Sequence, residues 1–374
     1  MEITTPTPVQ AEAIPPLLEG RDVIGQAYTG SGKTLAFGLP LVECIDPEQK
    51  HVQALVLCPT RELAQQVGEV LSLLVAGTGV RSTIVFGGRA YGPQEEAIKR
   101  GAQIVIGTPG RILDHLNRAT LRLDGVRFLV LDEADEMLDR GFAPDVQRIL
   151  RRASKERQTS LFSATTPEWV HRLSKTYLHD PVIIKTGVDE EAPDIDHVVY
   201  EVWGGDKLTI LRRLLDEPTE GATLVFRRTK RGVRNLCSKL ARMGYAVDEL
   251  QGDLHQQQRD RVLQKFRDKK TPILIATNVA ARGLDVLHIE RVINYELPET
   301  HELFTHRVGR TGRMGRSGLA ITLLDPADLP KWHEIERGLG RRVPRMTADG
   351  VIVPPAPEQK TNGRRSAPRR MRLR

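Results

Sequence analysis

Short apolar runs alternate with longer segments of helical period through most of the chain. Asp22–Ala27, Gln53–Cys58, Val80–Phe86, Gln103–Gly107, Arg127–Leu131 and Thr159–Phe162 read as buried strands. Between them, Thr34–Cys44, Arg61–Val75 and Pro144–Arg151 carry the period of helices. The pattern restarts after about Val188. Strand-like runs recur at His197–Val202, Thr223–Phe226, Ala246–Leu250, Pro272–Ala276, Arg291–Asn294 and Leu319–Leu324. Lys207–Leu215, Lys230–Met243, Gln256–Phe266 and Pro326–Gly338 supply the intervening helices. Strands alternating with helices predict a mostly parallel sheet covered on both faces, and two such series predict two α/β domains. The acidic, proline-containing stretch Val188–Asp194 has no apolar period and is the expected linker. The domains should therefore cover 1–187 and 195–345. Beyond Arg345 the chain is rich in Pro, Arg and Gly with almost no aromatic residues, so 346–374 is expected to be a disordered tail.

Composition narrows the class. The 374 residues are 40% hydrophobic and 28% charged, the balance of a globular protein long enough for two or three domains. No apolar run reaches the ~18 residues of a membrane span, and the polar, proline-containing start is not that of a signal peptide. Cys44, Cys58 and Cys237 are isolated and odd in number. That excludes a disulfide framework or a cysteine-rich zinc site and suits a reducing, cytoplasmic setting. The net charge of +7 is concentrated at one end: ten Lys/Arg and only two acids lie from Arg341 onward. A basic tail is common among nucleic-acid binders and identifies nothing alone.

Two segments carry specific chemistry. Ala27-Tyr28-Thr29-Gly30-Ser31-Gly32-Lys33-Thr34 follows a predicted strand and opens a predicted helix. In that context glycines let backbone N–H groups wrap a phosphate chain. Lys33 reaches the terminal phosphates, and the Thr34 hydroxyl ligates Mg²⁺. The first position of the usual pattern is glycine, and here it is Ala27. Asp132 and Glu133 stand at the carboxyl end of the strand Arg127–Leu131, where open α/β sheets place ligands. Asp132 is suited to hold Mg²⁺, partly through water, while Glu133 orients or deprotonates an attacking water.

The letters D-E-A-D at Asp132–Asp135 then bring the rest of the chain into register. The sequence resembles the DEAD-box RNA helicases, with two RecA-like domains, over roughly residues 4–345. Pro6-Thr7-Pro8-Val9-Gln10 looks like the family's adenine-reading glutamine motif. Pro59-Thr60-Arg61-Glu62-Leu63-Ala64, Gly87-Gly88 and Thr108-Pro109-Gly110-Arg111 look like its RNA-contacting loops. Ser163-Ala164-Thr165 matches the motif that couples hydrolysis to strand separation. Val225–Thr229, Gln256–Arg259, Ala276–Asp285 and His306–Arg313 match the motifs of the second domain. Any one tetrapeptide is weak; so many in order are not coincidence.

The resemblance implies an RNA-stimulated ATPase that closes on RNA and opens short duplexes locally. An ATP-gated RNA clamp with little unwinding is the alternative. Arg310 and Arg313 would act as arginine fingers, while Gly283 and Asp285 would complete the nucleotide site, Asp285 at the ribose. The implied RNA contacts are Pro59, Thr60, Arg61, Gly88, Thr108, Gly110, Arg111, Arg227, Gln256, Arg259 and Thr277. Hydroxyls and guanidiniums among them suit sugar–phosphate recognition without sequence preference. Thr60 and Thr108 are also placed to cap helices. Many members have Asp where Asn278 stands; Asn keeps the hydrogen bonding but loses a charge, so a Lys or Arg partner there would be held less strongly. The family also usually carries an aromatic residue upstream of the glutamine motif. The nine residues before Gln10 contain none, which leads us to expect weak ATP affinity and poor rejection of GTP.

Overall fold

The computed structural model describes residues 4–27, 30–186, 195–202, 206–281, 286, 288–312, 317–347 and 352–353. Residues 4–186 build a seven-stranded sheet. Its strands are β1 Val23–Gln26, β2 Ala54–Leu57, β3 Ser82–Val85, β4 Ile104–Gly107, β5 Phe128–Leu131, β6 Gln158–Ser163 and β7 Val182–Lys185. They lie in the order β3-β4-β2-β5-β6-β1-β7, and every pairing is parallel. Parallel strands need crossovers, and helices supply them.

Side-chain alternation divides the core into two layers. Val23, Val56, Ile106, Val130 and Phe162 face helices α1 (Pro8–Leu18), α2 (Lys33–Glu43) and α3 (Arg61–Leu74). Their neighbours Ile24, Leu57, Val105, Leu131 and Leu161 face the opposite way. There they meet α5 (Pro109–Asn117), α6 (Ala134–Asp139), α7 (Ala143–Arg152) and α8 (Glu168–Tyr177). Helix α4 (Tyr91–Lys99) lies beside the β3 edge. The central strands β2, β4 and β5 are buried at all four positions, whereas the edge strands β3 and β7 are only partly covered.

Residues 195–353 repeat the plan. Strands β8 (Ile195–Glu201), β9 (Ala222–Arg227), β10 (Val247–Leu250), β11 (Ile273–Thr277), β12 (Ile289–Asn294) and β13 (Gly318–Leu324) form a parallel sheet. Helices α9 (Lys207–Asp216) and α10 (Lys230–Arg242) cover one face and α11 (Gln256–Arg267) the other. Further helices are α12 (Asn278–Ala281), α13 (His301–Val308) and α14 (Leu329–Leu339). The helix expected from Pro326 begins as a 3₁₀ turn at Pro326–Asp328.

The expectation of a disordered chain from residue 346 fails at its start. β14 (Arg345–Thr347) pairs parallel with β8, and β15 (Ile352–Val353) returns antiparallel along it. The Arg345 guanidinium also donates to the Glu201 carboxylate at 2.7 Å. The second sheet therefore has eight strands, in the order β10-β11-β9-β12-β13-β8-β14-β15. Short polar strands at a sheet edge carry little apolar signal, which is why Arg-Met-Thr does not announce itself. Strand β7 is apolar, Val-Ile-Ile-Lys, but only four residues long, and so short a run does not stand out from the loop around it. The linker Val188–Asp194 and the tail from Pro354 lie outside the described residues.

Candidate nucleotide site and interdomain cleft

The phosphate loop sits at the carboxyl end of β1, as the sequence predicts. Gly30 and Gly32 have φ of +91° and +94°, a left-handed backbone that favours glycine. Gly32 is also spatially forced: a Cβ there would stand 2.5 Å from Gln10 Nε2. Gln10 lies in the first turn of α1 and is 5% exposed. Its Oε1 accepts from Thr7 N–H at 3.0 Å, and its Nε2 donates to the Gly32 carbonyl at 3.1 Å. The expected adenine reader thus also braces the loop. Lys33 is buried and donates through Nζ to the Ala27 carbonyl at 2.8 Å. The Ser31 hydroxyl is buried without a partner among the described residues. Thr34 follows Lys33 in the first turn of α2. Tyr28 and Thr29 fall outside the described residues.

Asp132 and Glu133 follow β5 and face Lys33. Asp132 is 2% exposed, and its Oδ1 is buried without a hydrogen-bond partner among the described residues. Burial pushes its carboxyl up to about 7, against the pull of Lys33. A buried, orphaned carboxylate oxygen beside a hydroxyl-bearing phosphate loop fits a divalent cation. Glu133 occupies a left-handed backbone conformation, φ +52°, at the head of α6. For a residue with a Cβ that conformation is strained and is held by its surroundings. Burial first, then the Glu136 charge, raises its carboxyl above the usual range; Arg310 and Lys33 pull it back.

Asp135 is tied to the third motif. Its Oδ2 accepts both the N–H and the hydroxyl of Thr165, each at 2.9 Å, and its own N–H donates to Ser163 Oγ at 3.2 Å. The expected coupling residues Ser163 and Thr165 therefore hold the segment that carries Glu133.

The second domain presents Arg310 to this cluster. Arg310 is 5% exposed, and its charge acts on Glu133 across the cleft. It follows α13, whose Arg307 is buried and donates to Asn278 Oδ1 at 2.6 Å, Asn294 Oδ1 at 2.9 Å and the Glu296 carbonyl at 2.7 Å. Arg307 is thus the arginine partner that Asn278 meets with an amide in place of a carboxylate. Gly283, Asp285 and Arg313 lie outside the described residues.

Several of the expected RNA residues meet one another across the domain boundary. Arg61 Nη1 donates to Gln256 Oε1 at 2.6 Å. Arg259 pairs with Glu62, both nearly buried, and its Nη2 donates to the Ala280 carbonyl at 2.6 Å. Arg89 reaches Asp260 at 3.1 Å. Arg61 also packs against Gly88, where a Cβ would stand 2.5 Å from its Nη1.

The remaining candidates are held within their own domains. Pro59 and Thr60 join β2 to α3, and Thr60 Oγ1 accepts the Leu63 N–H as a helix cap. Thr108 occupies the corresponding cap position of α5, but its hydroxyl makes no capping bond, contrary to expectation. Beside it, Gly110 leaves open space, and Arg111 lies 3.8 Å from the centre of the Tyr91 ring. Arg227 pairs with Glu296 at 2.7 Å, and Thr277 ends β11, buried. Glu62, Asp135, Arg307 and Glu296 have no role that residue type and spacing alone would single out. The first three lie inside quoted motifs, so position was available; Glu296 is recruited only by folding.

Comparison with known proteins agrees with this arrangement. Residues 7–173 match the model of the DEAD/DEAH box helicase family, and residues 206–315 match the helicase conserved C-terminal domain. The chain is 46% identical over 341 residues to the DEAD-box ATP-dependent RNA helicase CshA of Geobacillus kaustophilus, covering 91% of this chain and 73% of that protein. Identity to the Listeria monocytogenes CshA is also 46%, over 91% of this chain and 66% of the relative. The chain thus spans about two thirds to three quarters of these relatives' lengths. Among solved structures, S. cerevisiae Dbp5 bound to RNA and ADP BeF3 superposes with a TM-score of 0.85 at 32% identity, over 93% of this chain and 92% of that one. A DEAD box protein from Methanococcus jannaschii is more similar in sequence, 41%, over 91% of this chain and 93% of that one, yet gives only 0.55. With both halves matched by family models and the motifs gathered at one cleft, the chain belongs to the DEAD-box ATP-dependent RNA helicases.

Proposed function

We propose that this protein couples RNA-stimulated ATP hydrolysis to closure of its two domains, and that closure opens short RNA duplexes locally. The observation that carries this reading is the split site. Lys33, Asp132 and Glu133 belong to one domain, and Arg310, which acts on Glu133, belongs to the other. Hydrolysis of a phosphoanhydride needs charge neutralisation and a positioned water more than covalent help. Lys33 neutralises the terminal phosphates, Glu133 orients the water and takes its proton, and Arg310 steadies the charge that develops. Thr34 and Asp132 would hold Mg²⁺, partly through water, which would supply further charge neutralisation at the phosphates. Arg313 and Asp285 are proposed in the finger and ribose roles on the motifs alone.

The Glu62–Arg259 and Arg61–Gln256 contacts support closure as the state that assembles this site. So does the closer match to a neighbour solved with RNA and a nucleotide. RNA is the proposed partner, held at backbone and 2′-hydroxyls by Thr60, Thr108, Arg111 and their neighbours. A cytoplasmic location is part of the proposal, in keeping with three unpaired thiols. No helix among the described residues is long and apolar enough to cross a membrane. The test is ATPase activity with and without single-stranded RNA, followed by strand displacement on a short duplex. Equal rates with and without RNA would sink the coupling. Stimulated hydrolysis without displacement would favour the ATP-gated clamp.

A further inference from the structure

Helix α12 is a single turn, so its carbonyls have no donors within the helix. Two of them accept from arginines, one from each domain. Arg259 of α11, anchored by Glu62, donates to the Ala280 carbonyl. Arg140, at the end of α6 in the first domain, donates through Nη2 to the Val279 carbonyl at 2.9 Å. Its Nε meanwhile donates to Glu136 Oε1 at 2.8 Å. This second pair is largely withdrawn from water, with 16% of the Arg140 side chain and 4% of the Glu136 side chain exposed. Val279 turns its own side chain outward, 57% exposed, so what it offers the first domain is its carbonyl.

Both ends of this bridge lead to the reacting groups. Glu136 lies one turn beyond Glu133 and acts on it electrostatically. Asn278 heads α12 and accepts from Arg307, three residues before Arg310. No sequence motif singles out Arg140.

We propose that Arg140 is a positioning residue for closure. Its planar fork serves Glu136 and the Val279 carbonyl together, and so seats the Arg310 half of the site against the Glu133 half. The inference rests on the closure reading above. A guanidinium can serve both acceptors because two of its N–H edges lie in one plane; a lysine ammonium on a flexible stem keeps the charge but not the fork.

That difference supplies the experiment. Arg140→Lys keeps a cation beside Glu136 and should melt at the wild-type temperature, whereas Arg140→Ala removes both contacts. In each variant the RNA concentration for half-maximal ATPase should rise, on the order of tenfold, the scale of one charge-assisted hydrogen bond. Turnover at saturating RNA should recover, because RNA in excess drives closure by mass action. Fluorophores on the two domains should report the same shift with RNA and a non-hydrolysable ATP analogue. If wild type responds to RNA and Arg140→Lys follows the same curves, Arg140 does not position the cleft. If wild type itself shows no response to RNA, the functional reading falls and this inference with it. A melting temperature lowered in Arg140→Ala with unchanged RNA curves in both variants would leave Arg140 a purely structural residue.

Discussion

Asp132 shows what one buried carboxylate can do at two levels. Its charge is expensive because water is excluded and no donor among the described residues reaches Oδ1. With the native carboxyl at about 7 and the unfolded one near 3.8, the native state keeps a proton that the unfolded state has already released. Metal-free stability should therefore fall as pH rises across that window, by up to ~1.4 kcal/mol per pH unit. Thermal melts across pH should show this slope in wild type and a flatter one in Asp132→Asn. Mg²⁺ and ATP together should flatten it as well, since a cation at the carboxylate removes the reason to hold the proton. Glu133→Gln keeps shape and hydrogen bonding but cannot take a proton. Its RNA-stimulated turnover should drop ~10²-fold or more, the contribution of a general base. ATP and RNA binding should persist, and loss of binding instead would reassign Glu133 to the ligand site. Arg310→Ala should lower turnover ~10³-fold or more; normal hydrolysis would show that Arg310 is not the finger.

At the scale of elements, the strands of the phosphate-binding half are positioned by tight backbone approaches. Gly25 in β1 carries the strand into the phosphate loop, and a Cβ there would lie 2.6 Å from two atoms of the Phe162 ring in β6. Phe162 is fully buried, so the ring has little room to retreat. Gly25→Ala should cost about 1–3 kcal/mol. Chemical denaturation would reveal it, and an unchanged midpoint would show that the ring yields freely. At the next strand end, the Thr60 cap is worth ~1 kcal/mol by analogy with other caps, so a valine there should destabilise α3 by that order. The central strands were legible because parallel strands buried on both faces are apolar at every position, as in Ala54–Leu57 and Phe128–Leu131. The edge strands were not. β7 is a three-residue apolar run, Val182–Ile184, too short to stand out, and β14, Arg-Met-Thr, is half-buried and shows neither strand alternation nor a continuous apolar run.

Across the whole molecule, one contact of the cleft is a buried ion pair. Glu62 and Arg259 form an ion pair between domains with both side chains nearly withdrawn from solvent. Removing one partner leaves the other's charge buried and unpaired, which is strongly destabilising. Glu62→Ala and Arg259→Ala should each weaken RNA-stimulated ATPase, and the double variant should lose much less than the sum. A coupling of about 1–3 kcal/mol in that cycle is expected; strict additivity would show that the pair does not act across the cleft. The basic tail is separable in principle. Lys360, Arg364, Arg365, Arg369, Arg370, Arg372 and Arg374 all lie beyond β15. A cut must follow Val353, because one after Arg345 would remove most of β14 and all of β15. If four or five of these cations engage phosphates, truncation should lower the salt slope of log RNA affinity by about 3. Identical slopes would make the tail a solvated extension.

The sequence alone determined the two α/β domains, the phosphate loop at a strand end and the acidic pair at another. These are local matters of period, turn chemistry and residue type, written in contiguous letters. Gln10 beside Gly32, Asp135 holding Thr165, and the arginines of one domain seated on the acids and carbonyls of the other were decided only by tertiary structure. Each joins segments tens to hundreds of residues apart, and such partners are chosen by how the sheets stack and close. No window of sequence contains both ends of those contacts.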